Sequence, residues 1–236
     1  MPAAGRRRSP NLNPNDELLT VYDSLGNPLG TKTRSQVHRD GDWHKLVFVW
    51  AARRDESGSL RFLLQFRSRE GDEYAGLVDA LAGGHAAAGQ SDTENAIREC
   101  EEEVGLHLEA NEIAHLGSRK LENPGAACER VFQEYFLCLS SPTIGDLRFS
   151  DEATAFAEVD LDQFADLVDG RRDSIPALVR TKQDGGRTHV GEVNTAQLAG
   201  YGRHILESFR VSIELVRQRM DELPLDDSPA APEGSK

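Results

Sequence analysis

The stretch "LAGGHAAAGQSDTENAIRECEEEVGL", residues 81–106, decides the fold of this 236-residue chain. Ser91 and Glu94 have the Ser-x-x-Glu spacing of a capping box, which begins helices. Gly105 stands where a helix is commonly closed by a residue in the left-handed conformation. The stretch therefore predicts a helix of about three and a half turns, from about residue 92 to residue 104.

The predicted helix carries an unusual concentration of carboxylates. At about 100° per residue, Glu99, Glu102 and Glu103 fall within one arc of about 100°, whereas Glu101 points away from it. One side of the same helix is expected to face the core through Thr93, Ile97, Cys100 and Val104. A charge run is usually a solvated face, and like charges at these spacings repel. Clustering them becomes favourable when divalent cations lie between them.

A glycine-containing loop precedes the helix at "AGGH", residues 82–85. Glycines let backbone amides and carbonyls approach a metal ion or a phosphate closely. Arg98 lies four residues before Glu102 and can pair with it. Hard oxygen ligands of this kind favour Mg²⁺ or Mn²⁺ over zinc or copper.

These residues resemble the box that defines the Nudix hydrolases. Its fixed letters are matched here by Gly84, Arg98, Glu99, Glu102, Glu103 and Gly105. Gln90 is the one departure, because the family has a glutamate there. The segments "TKTRSQVHRDGDWHKLVFVW", "FLLQFRS" and "DALAGGH" resemble the Nudix branch related in sequence to isopentenyl-diphosphate isomerase, over roughly residues 16–164.

The resemblance implies metal-dependent hydrolysis of a nucleoside diphosphate linked to another group, with Mg²⁺ or Mn²⁺ as cofactor. Its catalytic residues correspond here to Arg98, Glu99, Glu102 and Glu103. The three glutamates are the expected metal ligands, the backbone of Gly83 completes the metal's coordination, and Arg98 orients a glutamate. The expected substrate-binding residues are Gly84, His85 and Arg67. Which glutamate is the general base stays open.

Several other polar residues have two interpretations. His85 and His44 could face a phosphate, but a lone histidine is more often structural. Asp151 and Glu152 lie where some family members place a further catalytic carboxylate, yet a solvated loop or a helix start is the commoner role. Gln90 has lost the family's charge, and we expect it to support the other glutamates without touching the ion.

The remaining secondary structure follows from hydrophobic patterning. A hairpin is predicted at residues 18–34, with its turn at 26–28. Further strands are predicted at 44–54, 60–68 and 128–140, a short helix at 161–170, and a long helix at 195–223. The long helix has an apolar stripe that is expected to pack on the core, with a homodimer interface as the alternative. The stripe consists of Leu198, Tyr201, Ile205, Phe209, Ile213, Val216 and Met220.

The resemblance and the pattern together imply an α+β (α/β) Nudix fold, in which a mixed β-sheet is sandwiched between helices. We expect the hydrolase domain at residues 15–170 and a helical C-terminal extension at 171–222 packed on it. Residues 1–14 and 223–236 are polar, contain proline, and are predicted to be disordered tails.

Composition limits the partners. The net charge of -13 argues against extended nucleic-acid binding, so the expected partner is a small-molecule diphosphate. The longest apolar run, residues 46–52, is too short for a bilayer. The basic residues 1–10 are not followed by an apolar segment, so we expect no secretory signal. Cys100, Cys128 and Cys138 are odd in number and show no paired spacing, which is typical of the cytoplasm.

Three functions compete at this level. A metal-dependent pyrophosphohydrolase is favoured because all three helix glutamates are present. An isopentenyl-diphosphate isomerase is disfavoured, because the isomerases resembled here carry a catalytic cysteine just before the "GH" element and "DALAGGH" has none. A non-catalytic binding module is supported only by Gln90.

Overall fold

The structure is a computed structural model that describes residues 13–68, 74–123 and 129–223. Most of the two predicted tails lies outside the described residues, and so does Cys128. The other two cysteines, Cys100 and Cys138, are buried free thiols.

Eleven strands and four helices make up the described chain. The strands are β1 Leu18–Tyr22, β2 Pro28–Thr33, β3 His44–Arg54, β4 Leu60–Arg67, β5 Val78–Asp79, β6 Ala82–His85, β7 Ile113–Asn123, β8 Glu129–Cys138, β9 Ala153–Asp160, β10 Ser174–Thr181 and β11 Thr188–Asn194. The helices are α1 Arg34–Asp40, α2 Asp92–Glu99, α3 Leu161–Val168 and α4 Arg203–Glu222. The predicted hairpin, the strands at 44–54 and 60–68, and the short helix after residue 160 are confirmed.

The main sheet is mixed and follows the order β11-β10-β9-β4-β3-β8-β7, with β5 beside β4 and β6 beside β3. All of its neighbours are antiparallel except β3 and β8, which run parallel. The hairpin of β1 and β2 forms a separate two-stranded sheet. A bridge between Leu19 and Ala87 joins this hairpin to the segment that follows β6.

Helices cover both faces of the main sheet. Successive residues of a strand point to opposite faces, so Val47 and Val49 pack on the α2 side, whereas Trp50 packs on the side of α3 and α4. Phe164 of α3 and Phe209 of α4 belong to that second core. The expected sandwich of a mixed sheet between helices is therefore confirmed.

Helix α2 begins as predicted and changes pitch before its end. Ser91 accepts a hydrogen bond from the Glu94 amide, and the Glu94 side chain returns to the Ser91 amide, which completes the capping box. Residues Cys100–Val104 then form a π-helical turn, closed by Gly105 at φ 70°. A π-turn inserts one extra residue and is frequent at functional sites. It shifts the phase of the last glutamates relative to a regular helix.

The expectation that residues 171–222 form a helical extension is wrong for its first half. Residues 174–181 and 188–194 are strands β10 and β11, and β10 continues the main sheet by pairing with β9. Ile175 and Ala177 are buried in alternation with exposed neighbours, which is the period of a strand. The predicted long helix starts at residue 203 rather than 195, because Gly200 and Gly202 interrupt the pattern and Gly202 is the N-cap.

The apolar stripe of α4 packs inside the chain. Phe209, Ile213, Val216 and Met220 are buried against the sheet and α3, as core packing predicts. The homodimer alternative stays a prediction. Within the described residues, no helix is long and apolar enough to cross a membrane.

Candidate active site

The main sheet forks beside β3, and this fork positions the site. The second half of β3, residues 51–54, pairs with β4, whereas its first half, residues 46–49, pairs with β6. Strand β5 pairs with β4 on one side of the fork, and the next strand, β6, pairs with β3 on the other side. A cavity of about 570 Å³ is lined by both arms of the fork and by residues of α2 and α4.

Glu103 and Glu99 of the acidic run lie on the wall of this cavity. The carboxylate of Glu103 accepts hydrogen bonds from Gln65 Nε2 at 2.7 Å and from the Gly83 amide at 3.3 Å. Glu103 is only 4% exposed and Glu99 only 7%. The helical pattern predicts only Thr93, Ile97, Cys100 and Val104 on the core side, so the burial of Glu103 differs from that prediction; the π-turn places Glu103 against β6.

The glycines before the helix have a steric reason. A Cβ at Gly84 would lie 2.6 Å from Glu99 Oε1, so only glycine leaves room for that carboxylate. A Cβ at Gly83 would lie 2.8 Å from the carbonyl oxygen of Val47 on the neighbouring strand. Gly84 therefore lets the end of α2 approach β6, while Gly83 lets β6 lie close to β3.

Arg98 ties the acidic end of α2 to the sheet. Its Nη2 lies 2.7 Å from Glu99 Oε1 and donates to the backbone oxygen of His85 at 3.2 Å. Its Nη1 donates to Glu102 at 3.0 Å, the i,i+4 pairing that the spacing indicates. Glu102 is thus held beside Arg98 rather than on the cavity wall, while Glu101 pairs with His107 at 3.5 Å.

Burial and the charges of neighbouring carboxylates raise the pKa values of Glu99 and Glu103. Burial raises the pKa of Glu99 to about 7, against the opposing effect of Arg98, and the charges of Glu102, Glu17 and Glu152 add to the rise. Burial also raises the pKa of Glu103 well above its usual range, with further contributions from Glu99 and Glu152. Without a cation the site therefore retains protons near neutral pH.

Two more carboxylates reach the same cavity from distant parts of the chain. Glu17 directly precedes β1, and Glu152 directly precedes β9. Glu152 was expected in a solvated loop or at a helix start, yet it lines the cavity, whereas Asp151 is exposed and pairs with Lys182 at 3.4 Å. No motif marks Glu17, so only the tertiary structure could reveal it.

The donor set fits a hard divalent cation. Besides Asp79, which pairs with Arg67, the carboxylates of Glu17, Glu99, Glu103 and Glu152 share one cavity, and such oxygens are the preferred ligands of Mg²⁺ and Mn²⁺. Gln65 adds a buried side-chain oxygen that has no hydrogen-bond partner among the described residues. Since buried polar atoms are nearly always paired, this oxygen indicates a place for an ion or its water.

A second group of possible metal ligands lies at the edge of the cavity. The side-chain nitrogens of His38, His44 and His85 come within 4.8 Å of one another, and His38 Nε2 lies 2.8 Å from His85 Nε2. His44 Nδ1 lies 3.0 Å from the backbone carbonyl oxygen of Asp42, so the Nε2 atom of His44 is the one available to the histidine group. Burial lowers the pKa of His44 to about 4, so its imidazole is neutral. Neutral imidazoles suit borderline metals such as zinc and cobalt.

The remaining predicted residues occupy different positions. Arg67 lines the cavity and pairs with Asp79 at 2.7 Å, and both side chains are partly buried. His85 lines the cavity within the histidine group. Gln90 does not line it, and its side-chain oxygen is buried without a partner among the described residues. A supporting role for Gln90 stays a prediction.

The comparisons with known proteins agree with this geometry. Residues 35–178 match the NUDIX domain family, and this matched segment is more than half of the chain. An uncharacterised Nudix hydrolase of Clostridium acetobutylicum is 28% identical over 163 residues, which span 68% of this chain and 78% of the relative. A Rhodococcus erythropolis Nudix hydrolase is 38% identical over 44% of this chain and 58% of its own length.

The expected similarity to isopentenyl-diphosphate isomerases is also found. An isopentenyl-diphosphate Delta-isomerase of Serratia proteamaculans is 28% identical over 52% of this chain and 66% of the isomerase. A crystal structure of a Deinococcus radiodurans protein shares the fold, with a TM-score of 0.52 and 15% identity over 83% of this chain and 99% of that one. The chain therefore belongs to the Nudix hydrolase family, whose members act on diphosphate bonds.

Proposed function

We propose that this protein is a pyrophosphohydrolase that uses Mg²⁺ or Mn²⁺ to cleave a nucleoside diphosphate linked to another group. The observation that carries the proposal is the convergence of Glu17, Glu99, Glu103 and Glu152 on one cavity. Glu99 and Glu103 have pKa values raised by burial and by the charges of neighbouring carboxylates. Such an arrangement is unfavourable by itself and becomes favourable when a divalent cation replaces the bound protons.

The reaction needs charge neutralisation, an activated water molecule and fixed geometry. A divalent cation bound by the carboxylates would neutralise the diphosphate and lower the pKa of water. Arg98 holds Glu99 in place through its 2.7 Å contact, and Gly84 leaves space for that carboxylate. Glu152 is our candidate for the general base, because it faces the cavity and its charge acts on both Glu99 and Glu103.

Arg67 has the position to contact substrate. Its guanidinium lines the cavity while Asp79 fixes it at 2.7 Å. An arginine held in this way keeps its positive charge beside a bound diphosphate without losing much side-chain entropy. We therefore assign Arg67 to the substrate, Glu17, Glu99 and Glu103 to the metal ion, and Glu152 to the attacking water molecule.

The test is a panel of nucleoside diphosphate derivatives incubated with MgCl₂ in water enriched in ¹⁸O. We expect two phosphate-containing products from at least one compound, with ¹⁸O in one of them, and no turnover in excess chelator. Glu103→Gln should lower the rate by orders of magnitude, whereas Glu101→Gln should leave it unchanged. Turnover that persists in chelator would contradict the proposal.

The isomerase alternative is tested separately. The similarity to the Serratia isomerase is its support, but Ala82, Gly83 and Gly84 precede His85 where the resembled isomerases have their cysteine. We expect no conversion of isopentenyl diphosphate to its dimethylallyl isomer. Catalytic conversion would replace the hydrolase proposal. A protein that binds nucleotides and cleaves none of the panel would be the non-catalytic module instead.

A further inference from the structure

The wall of the cavity on the α4 side is aromatic, in contrast to the carboxylates on the α2 side. This aromatic wall consists of Phe48, Trp50, Tyr74, Tyr135, Tyr201 and Phe209. Helix α4 adds further lining residues, none of them acidic, lysine or arginine: His204, Ile205, Ser208 and Ser212. We propose that the aromatic wall binds the nucleobase of the substrate, an inference that rests on the proposed hydrolase function.

Alternation along β3 accounts for the two kinds of wall. Phe48 and Trp50 point to the α4 side, while their neighbours Val47 and Val49 point to the α2 side. Phe48 pairs in the sheet with Gly83, which also donates its amide to Glu103. One cavity therefore joins the aromatic wall to the carboxylates, so a group attached to a bound diphosphate can reach the rings.

The rings of the wall support one another. Phe48 and Tyr135 are stacked at 6.0 Å with 29° between their planes, and Tyr201 lies 5.7 Å from Phe209. The hydroxyl of Tyr201 donates to the Val78 oxygen at 2.6 Å, which anchors the segment before α4. Rings that are already ordered lose little entropy on binding, and aromatic groups that line a cavity suit a flat base.

Unpaired polar atoms favour a nucleobase over a hydrocarbon group. Trp50 is 2% exposed, and its indole N–H has no hydrogen-bond partner among the described residues. Gln133 Oε1 accepts from the Tyr135 hydroxyl at 2.8 Å and from Ser208 at 3.0 Å, so its amide nitrogen remains as the donor of that side chain. The Trp50 N–H and the Gln133 amide can each donate to a hydrogen-bond acceptor. A nucleobase carries such acceptors, whereas an isoprenyl chain has none.

The test uses 5′-nucleoside monophosphates, because they probe the base without any hydrolysis. Isothermal titration should compare AMP, GMP, CMP and UMP with ribose 5-phosphate. We expect at least one nucleotide to bind tenfold or more tightly than ribose 5-phosphate. Trp50→Phe, which keeps a ring and removes the N–H, should weaken that nucleotide about tenfold and leave ribose 5-phosphate unchanged.

The chain offers a matched control in its other tryptophan. Trp43 is also buried, packs on Phe132 at 5.0 Å and does not line the cavity. Trp43→Phe should leave nucleotide affinity unchanged and make Trp50 the sole indole, whose fluorescence should then respond to nucleotide but not to ribose 5-phosphate. Thermal unfolding of both variants verifies that they fold.

Two results would overturn the inference: equal affinities for nucleotides and ribose 5-phosphate, or tighter binding of dimethylallyl diphosphate than of any nucleotide. A failure of the hydrolase proposal looks different. In that case nucleotides bind at Trp50 but no diphosphate is cleaved, so the base site stands while the reaction does not.

Discussion

Replacing Gly84 by alanine should damage catalysis without unfolding the protein. The new Cβ would lie 2.6 Å from Glu99 Oε1, whereas an ordinary contact begins at about 3.4 Å, so the carboxylate must move by about 0.8 Å, the difference between 3.4 and 2.6. The backbone at Gly84 does not require a positive φ, so alanine is compatible with the strand. Only the end of one side chain has to yield, which keeps the cost in stability small.

The displacement is large on the scale that catalysis tolerates. A misplacement of about 1 Å can cost roughly 100-fold in rate, so we expect kcat/KM of Gly84→Ala to fall by about 100-fold. The assay is steady-state hydrolysis of the best substrate of the panel, together with thermal unfolding. We expect the midpoint of unfolding to change by no more than a few degrees.

Two other glycines serve as controls for this variant. Gly145→Ala should change neither activity nor stability, because the nearest atom to its new Cβ is 3.5 Å away. Gly83→Ala should instead destabilise the fold, since its Cβ would meet the backbone oxygen of Val47 at 2.8 Å. An unchanged kcat/KM for Gly84→Ala would refute the assignment of Glu99 to the catalytic site.

Three further predictions concern protons and metals. The pKa of Glu99 rises from 4.5 to about 7 on folding, so the folded state binds the extra proton. The metal-free protein should therefore lose up to about 3 kcal/mol as the pH rises from 4.5 to 7, a loss that Glu99→Gln should reduce in urea titrations. Co²⁺ should give a visible absorption band that His44→Ala abolishes, because His44 presents its Nε2 to the histidine group. Gln90→Glu should lower the Mg²⁺ concentration for half-maximal rate with little change in the saturated rate, and superimposable titrations would exclude any role of Gln90 at the ion.

The parts of the fold that sequence predicts are those with local causes. The capping box of Ser91 and Glu94 and the closing Gly105 define α2 because all their partners lie within a few residues. The strand at 44–54 is continuous and apolar, which is typical of a strand buried on both faces. Local hydrogen bonds and burial alone determine these elements.

The errors arise where distant segments decide the structure. Residues 174–194 were assigned to a helical extension, but β10 exists because the exposed edge of β9 accepts it. The π-turn at 100–104 cannot be read from helical periodicity, and it buries Glu103 under β6. Local sequence patterns predict neither the pairing of β10 with β9 nor the π-turn.

The candidate site divides in the same way. Arg98, Glu99 and Glu103 are close in sequence and were expected from the motif, although the same motif also selects Glu102, which does not line the cavity. Glu17 and Glu152 arrive from opposite ends of the domain, and only the order of the strands brings them to the fork. The histidine group likewise depends on the pairing of Leu46 with His85 across β3 and β6.

Glu99 of α2 and Glu103 of the following π-turn are proposed to bind a divalent cation. The most direct test is isothermal titration of Mg²⁺, an ion that imidazoles bind poorly, into the unaltered protein, Glu103→Gln and Glu101→Gln. Glutamine mimics the protonated form of Glu103 and can still accept from Gln65, so this variant should fold. We expect at least about tenfold weaker binding for Glu103→Gln and unchanged binding for Glu101→Gln. Equal Mg²⁺ affinity in all three proteins would contradict the assignment of Glu103 to the metal ion.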